Sequence, residues 1–301
     1  VTSIGDYAFE YCRSLTQIDL SSGVQQIELT AFTSCDSLST INVAEANENY
    51  TSVDGVLFDS DLTTIVFFPG AGREEYTIPD GVEKIGDKAF NHCNELTSIE
   101  IPNSVTSIGW YAFWGCSNLY SVKIPDSVTS IGRYAFWECS GLCDVEISQS
   151  VSVIGGYAFS GCSNLTSIEI PDSVSFMGEY VFGSCSSLES IEIPDNFTTI
   201  EEGTFFGCSS LKSIEIPDSI TDIEPSAFKS CSGLEHVEIP EGVTNIGYSA
   251  FAFCSSLESV GIPASVTTIG DSAFDKCSSL KAINVAEANK NYASKEGILF
   301  D

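Results

Sequence analysis

Phenylalanine recurs at a fixed interval of 23 residues. Phe90, Phe113, Phe136, Phe159, Phe182, Phe205, Phe228, Phe251 and Phe274 are evenly spaced, and a cysteine follows each one three residues later. Two earlier copies, Phe9 with Cys12 and Phe32 with Cys35, keep the spacing, whereas the 58 residues from Phe32 to Phe90 amount to two periods plus 12. Fixed periods of this length belong to solenoids, in which one unit cannot bury its apolar side alone and must stack on its neighbours. The chain is therefore a repeat array carrying one insertion, at about 45–75.

A single copy can be read as one coil. In Leu119 to Cys139 the apolar positions are Leu119, Val122, Ile124, Val128, Ile131, Ala135, Phe136 and Cys139. Val122 and Ile124 alternate with Lys123 at the period of two that a half-buried strand requires, so stacked copies predict one parallel sheet. Pro125 lacks a ladder donor and ends the strand. Asp126 and Ser127 then turn the chain, Val128 and Ile131 point back inward, and Gly132 permits a tight bend. Tyr134 to Cys139 predict about one and a half turns of α-helix or 3₁₀-helix. The unit reads strand, turn, turn, short helix, which is an α/β repeat solenoid rich in β structure.

The unit resembles the leucine-rich repeats of the BspA-like family, whose copies run L-x-x-I-x-I-P-x-S-V-T-S-I-G-x-x-A-F-x-x-C. Leu165 to Cys185 reads L-T-S-I-E-I-P-D-S-V-S-F-M-G-E-Y-V-F-G-S-C, and the pattern covers nearly the whole chain. The segment Asn49-Tyr50-Thr51-Ser52-Val53-Asp54-Gly55-Val56-Leu57-Phe58 is similar to a longer unit interspersed among the short ones in that family. The resemblance implies a single right-handed, curved solenoid over 1–301, with its parallel sheet on the concave face and short helices or 3₁₀ turns on the convex side. It also implies a surface-exposed or secreted microbial adhesin, or a host-interaction module, whose partner is extracellular matrix or another cell.

Ile41 to Asp59 and Ile283 to Asp301 match at 14 of 19 positions, so a second long unit occupies 284–301. The chain starts within one coil and stops within this unit, which leads us to expect a piece of a longer protein. The longest apolar run, Ile65 to Phe68, is far too short to cross a bilayer. Three N-x-[ST] sequons, at Asn49, Asn164 and Asn196, are acceptors for glycan only in a secreted eukaryotic protein.

Eleven of the 12 cysteines share one repeat position. Stacked coils bring equivalent residues to about 5 Å, but with parallel side chains that do not face each other as a disulfide requires. They read as a ladder of buried thiols serving as small hydrophobes. Cys143 falls outside the ladder, at a predicted outward strand position beside Asp144, and is expected to be an exposed thiol. Without a C-x-x-C pair or converging ligands, no metal site and no cofactor are expected.

With 42 acidic and 12 basic residues the formal net charge is -30, which argues against nucleic acid and against anionic membrane surfaces. Cationic partners fit instead, including a basic protein segment and, weakly, divalent cations. The outward position between the two strand apolars reads Glu146, Glu169, Glu192, Glu215 and Glu238 in five consecutive copies. Like charges about 5 Å apart repel by roughly 1 kcal/mol per pair even in water. The stripe is either one ancestral glutamate copied with its repeat and solvated, or a binding surface. Trp110, Trp114 and Trp137 fall in adjacent coils on the opposite side. They form either a candidate exposed patch or covers over gaps between short helices. Phe206 continues their column after a gap. In the insertion, Val56 to Phe58 and Thr63 to Phe68 predict a hairpin, and Asp54, Asp59 and Asp61 offer oxygens in a spacing that matches no EF-hand loop.

Catalysis finds no support in the inventory. The two histidines, His92 and His236, lie in different coils 144 residues apart. There is no phosphate loop, G-x-S-x-G elbow, H-E-x-x-H or dinucleotide fingerprint. A uniform carboxylate ladder also lacks the two contrasting environments that acid–base pairs need. The sequence thus points to a non-catalytic binding module, with a spacer displaying other domains, or an intracellular scaffold, as the competing readings.

Overall fold

The predicted strand forms in coil after coil. In the computed structural model, which describes residues 1–295 and 297–300, Ser98–Glu100, Ser121–Lys123 and Asp144–Glu146 pair in parallel, with Val122 opposite Val145 and Lys123 opposite Glu146. Glu75–Thr77 joins the same sheet beside Ser98–Glu100. The chain forms two compact units, Val1–Val151 and Ser152–Asp301. In the second unit the same position supplies Ser167–Ile168 with Ser190–Ile191, Ser213–Ile214 with His236–Val237, and Ser259–Ile262 with Ala282–Val285. Alternation governs burial: Val122 and Ile124 are buried while Lys123 between them is exposed.

A second parallel ladder runs along each unit where the sequence suggested only turns. Lys84–Ile85, Ser107–Ile108 and Ser130–Ile131 pair in the first unit. Thr199–Ile200, Asp222–Ile223, Asn245–Ile246 and Thr268–Ile269 pair in the second. Each strand is two residues long, too short to display a period of two. Its stability comes from the coils above and below.

The third side of the coil contains neither α-helix nor 3₁₀-helix among the described residues, contrary to the helical segment expected over Tyr134 to Cys139. The backbone donors alternate instead. Tyr111, Phe113 and Gly115 donate N–H to the carbonyls of Arg133, Ala135 and Trp137 in the next coil, whereas Trp114 and Cys116 bond back to Tyr111 and Phe113. A helix needs every donor inside its own segment, and here every second donor leaves the coil. Two positions four residues apart adopt left-handed backbone to permit this, at Tyr111 (φ 56°) and Gly115 (φ 72°), and again at Gly203 (φ 60°) and Gly207 (φ 73°).

The phenylalanines form the core column. Phe90, Phe113 and Phe136 are fully buried and stack at 4.9 and 5.0 Å. In the second unit Phe159 through Phe274 stack at 5.1 to 6.1 Å. All twelve cysteines are thiols. The ladder thiols do more than fill volume, because coil after coil they donate to a phenylalanine carbonyl 26 residues earlier, as Cys116 does to Phe90 (3.0 Å) and Cys231 to Phe205 (3.1 Å); Cys93, after the insertion, donates to Phe68 instead. Burial pushes the Cys185 and Cys231 thiols up to about 12. Cys12 is exposed, and Cys143 is half-buried rather than exposed, its Sγ 3.7 Å from the Tyr120 carbonyl.

The insertion is a three-stranded antiparallel meander of Tyr50–Val53, Val56–Asp59 and Thr64–Phe67. Its last strand runs parallel to Lys84–Ile85 and so extends the second ladder. Two residues occupy the missing core position: Phe67 packs against Phe32 at 5.2 Å, and Phe68 against Phe90 at 4.7 Å. Asp59 closes the hairpin by accepting from the Thr63 and Thr64 amides and the Thr63 hydroxyl, all within 2.8 to 2.9 Å. Burial alone would raise its carboxyl, but these bonds prevail and hold it below its ordinary range. No cluster of three metal-ligating side chains occurs among the described residues. No helix there is long and apolar enough to cross a membrane.

Candidate binding faces

The first-strand face carries the glutamates. Glu146 lies in the first unit and forms an ion pair with Lys123, its register partner (Nζ to Oε1 2.7 Å). The hydrogen bond that Lys123 donates to Glu146 holds its ammonium above its ordinary range. Both side chains are well exposed, so solvent screens most of the attraction.

Glu169, Glu192, Glu215 and Glu238 belong to the second unit. Each is exposed between two apolar strand positions in a consecutive coil, at a repeat of about 4.8 Å. None makes an ion pair or a side-chain hydrogen bond among the described residues. The structure thus separates the predicted five into one neutralised glutamate and four without a counter-charge. In neighbouring columns Lys281 pairs with Glu258 at 3.0 Å, and the serine column contains an exposed His236.

The aromatic residues gather on the turn side of the first unit. Trp114 and Trp137 stack at 5.3 Å with 16° between their planes. Around them lie groups that the sequence reading passed over: His92 is 4.4 Å from Trp114, while Tyr111 stacks on Tyr134 at 4.6 Å and meets both tryptophans edge-on. Lys88 lies over the Tyr111 ring and Arg133 over Tyr134, at 5.7 and 5.2 Å. Such contacts are worth about 0.5–1 kcal/mol at exposed sites. Gly115 sits beneath His92, whose ring a side chain at this position would strike, so the glycine serves both the left-handed backbone and the stack. Because Trp114 and Trp137 lie face to face, each covers one face of the other. The signal for the cluster was present in the sequence, where Tyr111 and Tyr134 stand two residues before Phe113 and Phe136.

Trp110 does not join this cluster. It is 62 % exposed and makes no ring contact among the described residues, although its amide is held by Asp87 Oδ1 at 2.9 Å. Phe206 is in the second unit, where its ring lies 6.0 Å from that of Tyr180. Of the sequons, Asn196 spends its amide group on the Asp172 and Val174 carbonyls, while Asn49 and Asn164 are exposed.

Neither face encloses a reacting centre. The glutamates stand in one environment, and His92 and His236 fall in different units. What the faces offer is area, charge and aromatic edges, which are the materials of recognition.

Residues 1–71, 66–189 and 177–295 match the model of the BspA type leucine-rich repeat region. No curated protein matches the chain. Among solved structures, a leucine-rich repeat protein from Bacteroides ovatus is 30% identical over 94% of this chain and 82% of its own, with a TM-score of 0.67. A leucine-rich cell surface protein from Faecalibacterium prausnitzii is 27% identical over 97% of this chain and 84% of its own, at a TM-score of 0.55. A Treponema pallidum leucine-rich repeat protein is 29% identical over 64% of this chain and 90% of its own, at 0.54. The matched copies extend from the first coil into the second long unit, and the chain belongs to the BspA-type leucine-rich repeat family.

Proposed function

We propose that this protein is a non-catalytic protein-binding module, displayed at a microbial surface or secreted, which captures a basic segment of its partner on the first-strand face of the second unit. The observation that carries this reading is the run of four exposed glutamates, Glu169 to Glu238, without counter-charges in consecutive coils. A column copied by duplication alone would cost stability through like-charge repulsion and bring nothing in return. A cationic partner relieves that repulsion on binding and is steered to the face by the net charge of -30. Repeat arrays present extended faces suited to such partners. Surface display rests on the likeness to a cell surface protein of Faecalibacterium prausnitzii. The stacked cluster of Trp114 and Trp137, with exposed Trp110 nearby in sequence, supplies a second surface for an adhesin, the glutamate column being the first.

The test is binding of the purified protein to an array of extracellular matrix proteins and basic peptides, at low and physiological salt, with and without calcium. A saturable, salt-sensitive signal abolished by converting Glu169, Glu192, Glu215 and Glu238 to glutamine supports the reading. Silence across the array with a well-folded protein overturns it in favour of a spacer.

A further inference from the structure

Peptide groups stack in a column along the turn side of the first unit. Tyr11 N–H donates to the Thr33 carbonyl at 3.1 Å, His92 N–H to Trp114 at 2.7 Å and Gly115 N–H to Trp137 at 2.8 Å. The Trp114–Gly115 peptide thus accepts from one neighbouring coil and donates to the next. Between Ser34 and Asn91 the column is interrupted. The Ser34 N–H has no acceptor among the described residues, and the Asn91 carbonyl receives only the Cys93 thiol, at 4.0 Å. Two coil steps of about 4.8 Å separate these groups, which leaves the space of one peptide group between them.

The insertion accounts for the break. Ile65 pairs with Ile85 and Phe68 stacks on Phe90, yet Phe68 follows Ile65 by three positions where Phe90 follows Ile85 by five. The shortened segment cuts the corner. Its Pro69–Gly70 peptide holds the sequence position that would bridge Ser34 and Asn91, but neither the Pro69 carbonyl nor the Gly70 N–H is bonded among the described residues. Gly70 is pressed instead against the cysteine ladder, where a Cβ would lie 2.9 Å from Cys93 Sγ. A cavity of about 160 Å³ takes the bridging place, lined by both Ser34 and Asn91. Leu38 and Phe67 supply apolar wall, and the exposed Asp36 and Asn94 stand at its mouth.

Backbone groups away from open solvent are nearly always bonded, and one secondary amide satisfies both of these. Its carbonyl accepts from Ser34 and its N–H donates to Asn91, as the Trp114–Gly115 peptide does for its own neighbours. A carboxylate would lack the donor and would face Asp36, which is paired with Arg13 at 3.5 Å. A peptide passing through would have to enter and leave by one mouth, since buried Phe68 and Pro69 close the floor. An acetamido group hangs from a single bond, with its methyl against Leu38 and Phe67. Hydroxyls of a sugar ring carrying it then meet the Asp36 carboxylate and the Asn94 amide. We propose that this notch binds an N-acetylated amino sugar, whose acetamido group completes the peptide column. The site lies wholly within the first unit and is independent of the glutamate face.

The experiment titrates isotope-labelled protein with N-acetylglucosamine, glucose and N-acetylglycine methylamide, following amide signals and their hydrogen exchange by NMR. Saturable binding of N-acetylglucosamine, about tenfold or more tighter than glucose, is expected, because glucose leaves both backbone groups unpaired. Exchange of the Ser34 amide should slow as the sugar binds. Ala71→Leu and Asn91→Trp each fill the notch, and the second places there the residue that the next two coils carry as Trp114 and Trp137. Circular dichroism checks that both variants are folded, and each should weaken binding about tenfold or more. Equal binding of glucose, an unchanged Ser34 amide, or full binding by both folded variants overturns the proposal. Tighter binding of N-acetylglycine methylamide than of the sugar would assign the notch to a peptide and overturn it too. Protein that binds none of the three has a notch that holds only water, and the proposal fails.

Discussion

Cys208 Sγ donates to the carbonyl of Phe182, 3.2 Å away in the preceding coil, and that carbonyl also accepts the Cys185 amide. The same pairing recurs along the array, so the cysteine is both a packing element and a cross-coil hydrogen bond. Serine would be more polar and would reach less far, while alanine would fill less volume and donate nothing.

Replacing Cys208 by alanine is expected to cost about 1 to 2 kcal/mol, the sum of one modest hydrogen bond and a small cavity. The Phe182 carbonyl keeps its second donor, which limits the loss. Chemical denaturation of the variant against wild type measures it.

Thiol chemistry should divide the cysteines sharply. In native protein Cys12, which is exposed, is expected to react with a disulfide reagent within minutes, followed by half-buried Cys35 and Cys143. The thiols of Cys185 and Cys231, buried and pushed up to about 12, should react only on unfolding. Counting labelled thiols by mass spectrometry before and after denaturant checks this, and early labelling of Cys231 would contradict the buried ladder.

Phe205→Ala removes a fully buried ring stacked at 6.0 Å on Phe182 and at 5.4 Å on Phe228. The expected cost is about 3 to 5 kcal/mol. Each coil contacts only its neighbours, so amide exchange should rise first in the coils flanking residue 205 and fade with distance along the unit. Uniform acceleration throughout would argue for a globally cooperative fold.

Gly203→Ala probes the turn side. Gly203 has left-handed backbone, φ 60°, and a side chain there would collide with the ring of Tyr180, whose hydroxyl bonds Glu202 at 3.1 Å. The backbone alone costs about 1 to 2 kcal/mol, and displacing the ring adds to it. Thermal melting of Gly203→Ala beside Gly261→Ala, where nothing lies within 4 Å, should separate a required glycine from a permissive one.

The parts of this fold that were legible in the sequence are those with long-range periodicity. The phenylalanine column and the strand at Val122 to Ile124 announce themselves because one side chain repeats at one position and because two buried residues flank an exposed one. The second ladder escaped because Ser130–Ile131 offers a single inward residue, which a turn would also explain. The expected helix failed for a tertiary reason: the donors of Tyr111, Phe113 and Gly115 are taken by the next coil, and no local propensity encodes that. In the insertion, the exchange of one core phenylalanine for Phe67 and Phe68 depends on how the meander rejoins the ladder. On the faces, the column reading found the glutamates but not that Lys123 neutralises Glu146. It grouped Trp110 with rings that it does not touch.

Charge substitutions should distinguish these glutamates. Glu146→Gln removes the partner of Lys123 and is expected to lower the melting temperature slightly, whereas Glu192→Gln relieves repulsion and should leave it unchanged or raise it. Added salt should shrink both differences, since all of these groups face water. A clear loss of stability with Glu192→Gln would mean that a bound cation or an unseen base holds that column together.

The pH dependence of stability follows from two opposed sets of carboxyls. Burial raises Glu201 and Glu224, with lesser contributions from nearby carboxylates, including Glu224 and Glu179 for Glu201 and Asp222 and Glu202 for Glu224. A carboxyl whose folded value lies above its unfolded one binds protons more readily in the native state, so stability falls as pH rises through the window just above 4.5. Acidifying from neutrality should therefore stabilise the second unit, and the shrinking net charge works in the same direction. Asp59 and Asp19 act in reverse. The hydrogen bonds to Asp59 overcome its burial, Asp19 is lowered chiefly by Asn42 and then Gln17, and both contribute stability that disappears as pH falls below 3.8. The melting temperature should rise from pH 7 to a maximum near the ordinary glutamate range and drop again at lower pH. Glu201→Gln and Glu224→Gln together should flatten the rising limb, while Asp59→Asn, which leaves a neutral acceptor for the Thr63 and Thr64 amides, should weaken the acid-side drop. A rising limb that survived the double glutamine change intact would assign it to general charge repulsion and not to these two half-buried carboxyls.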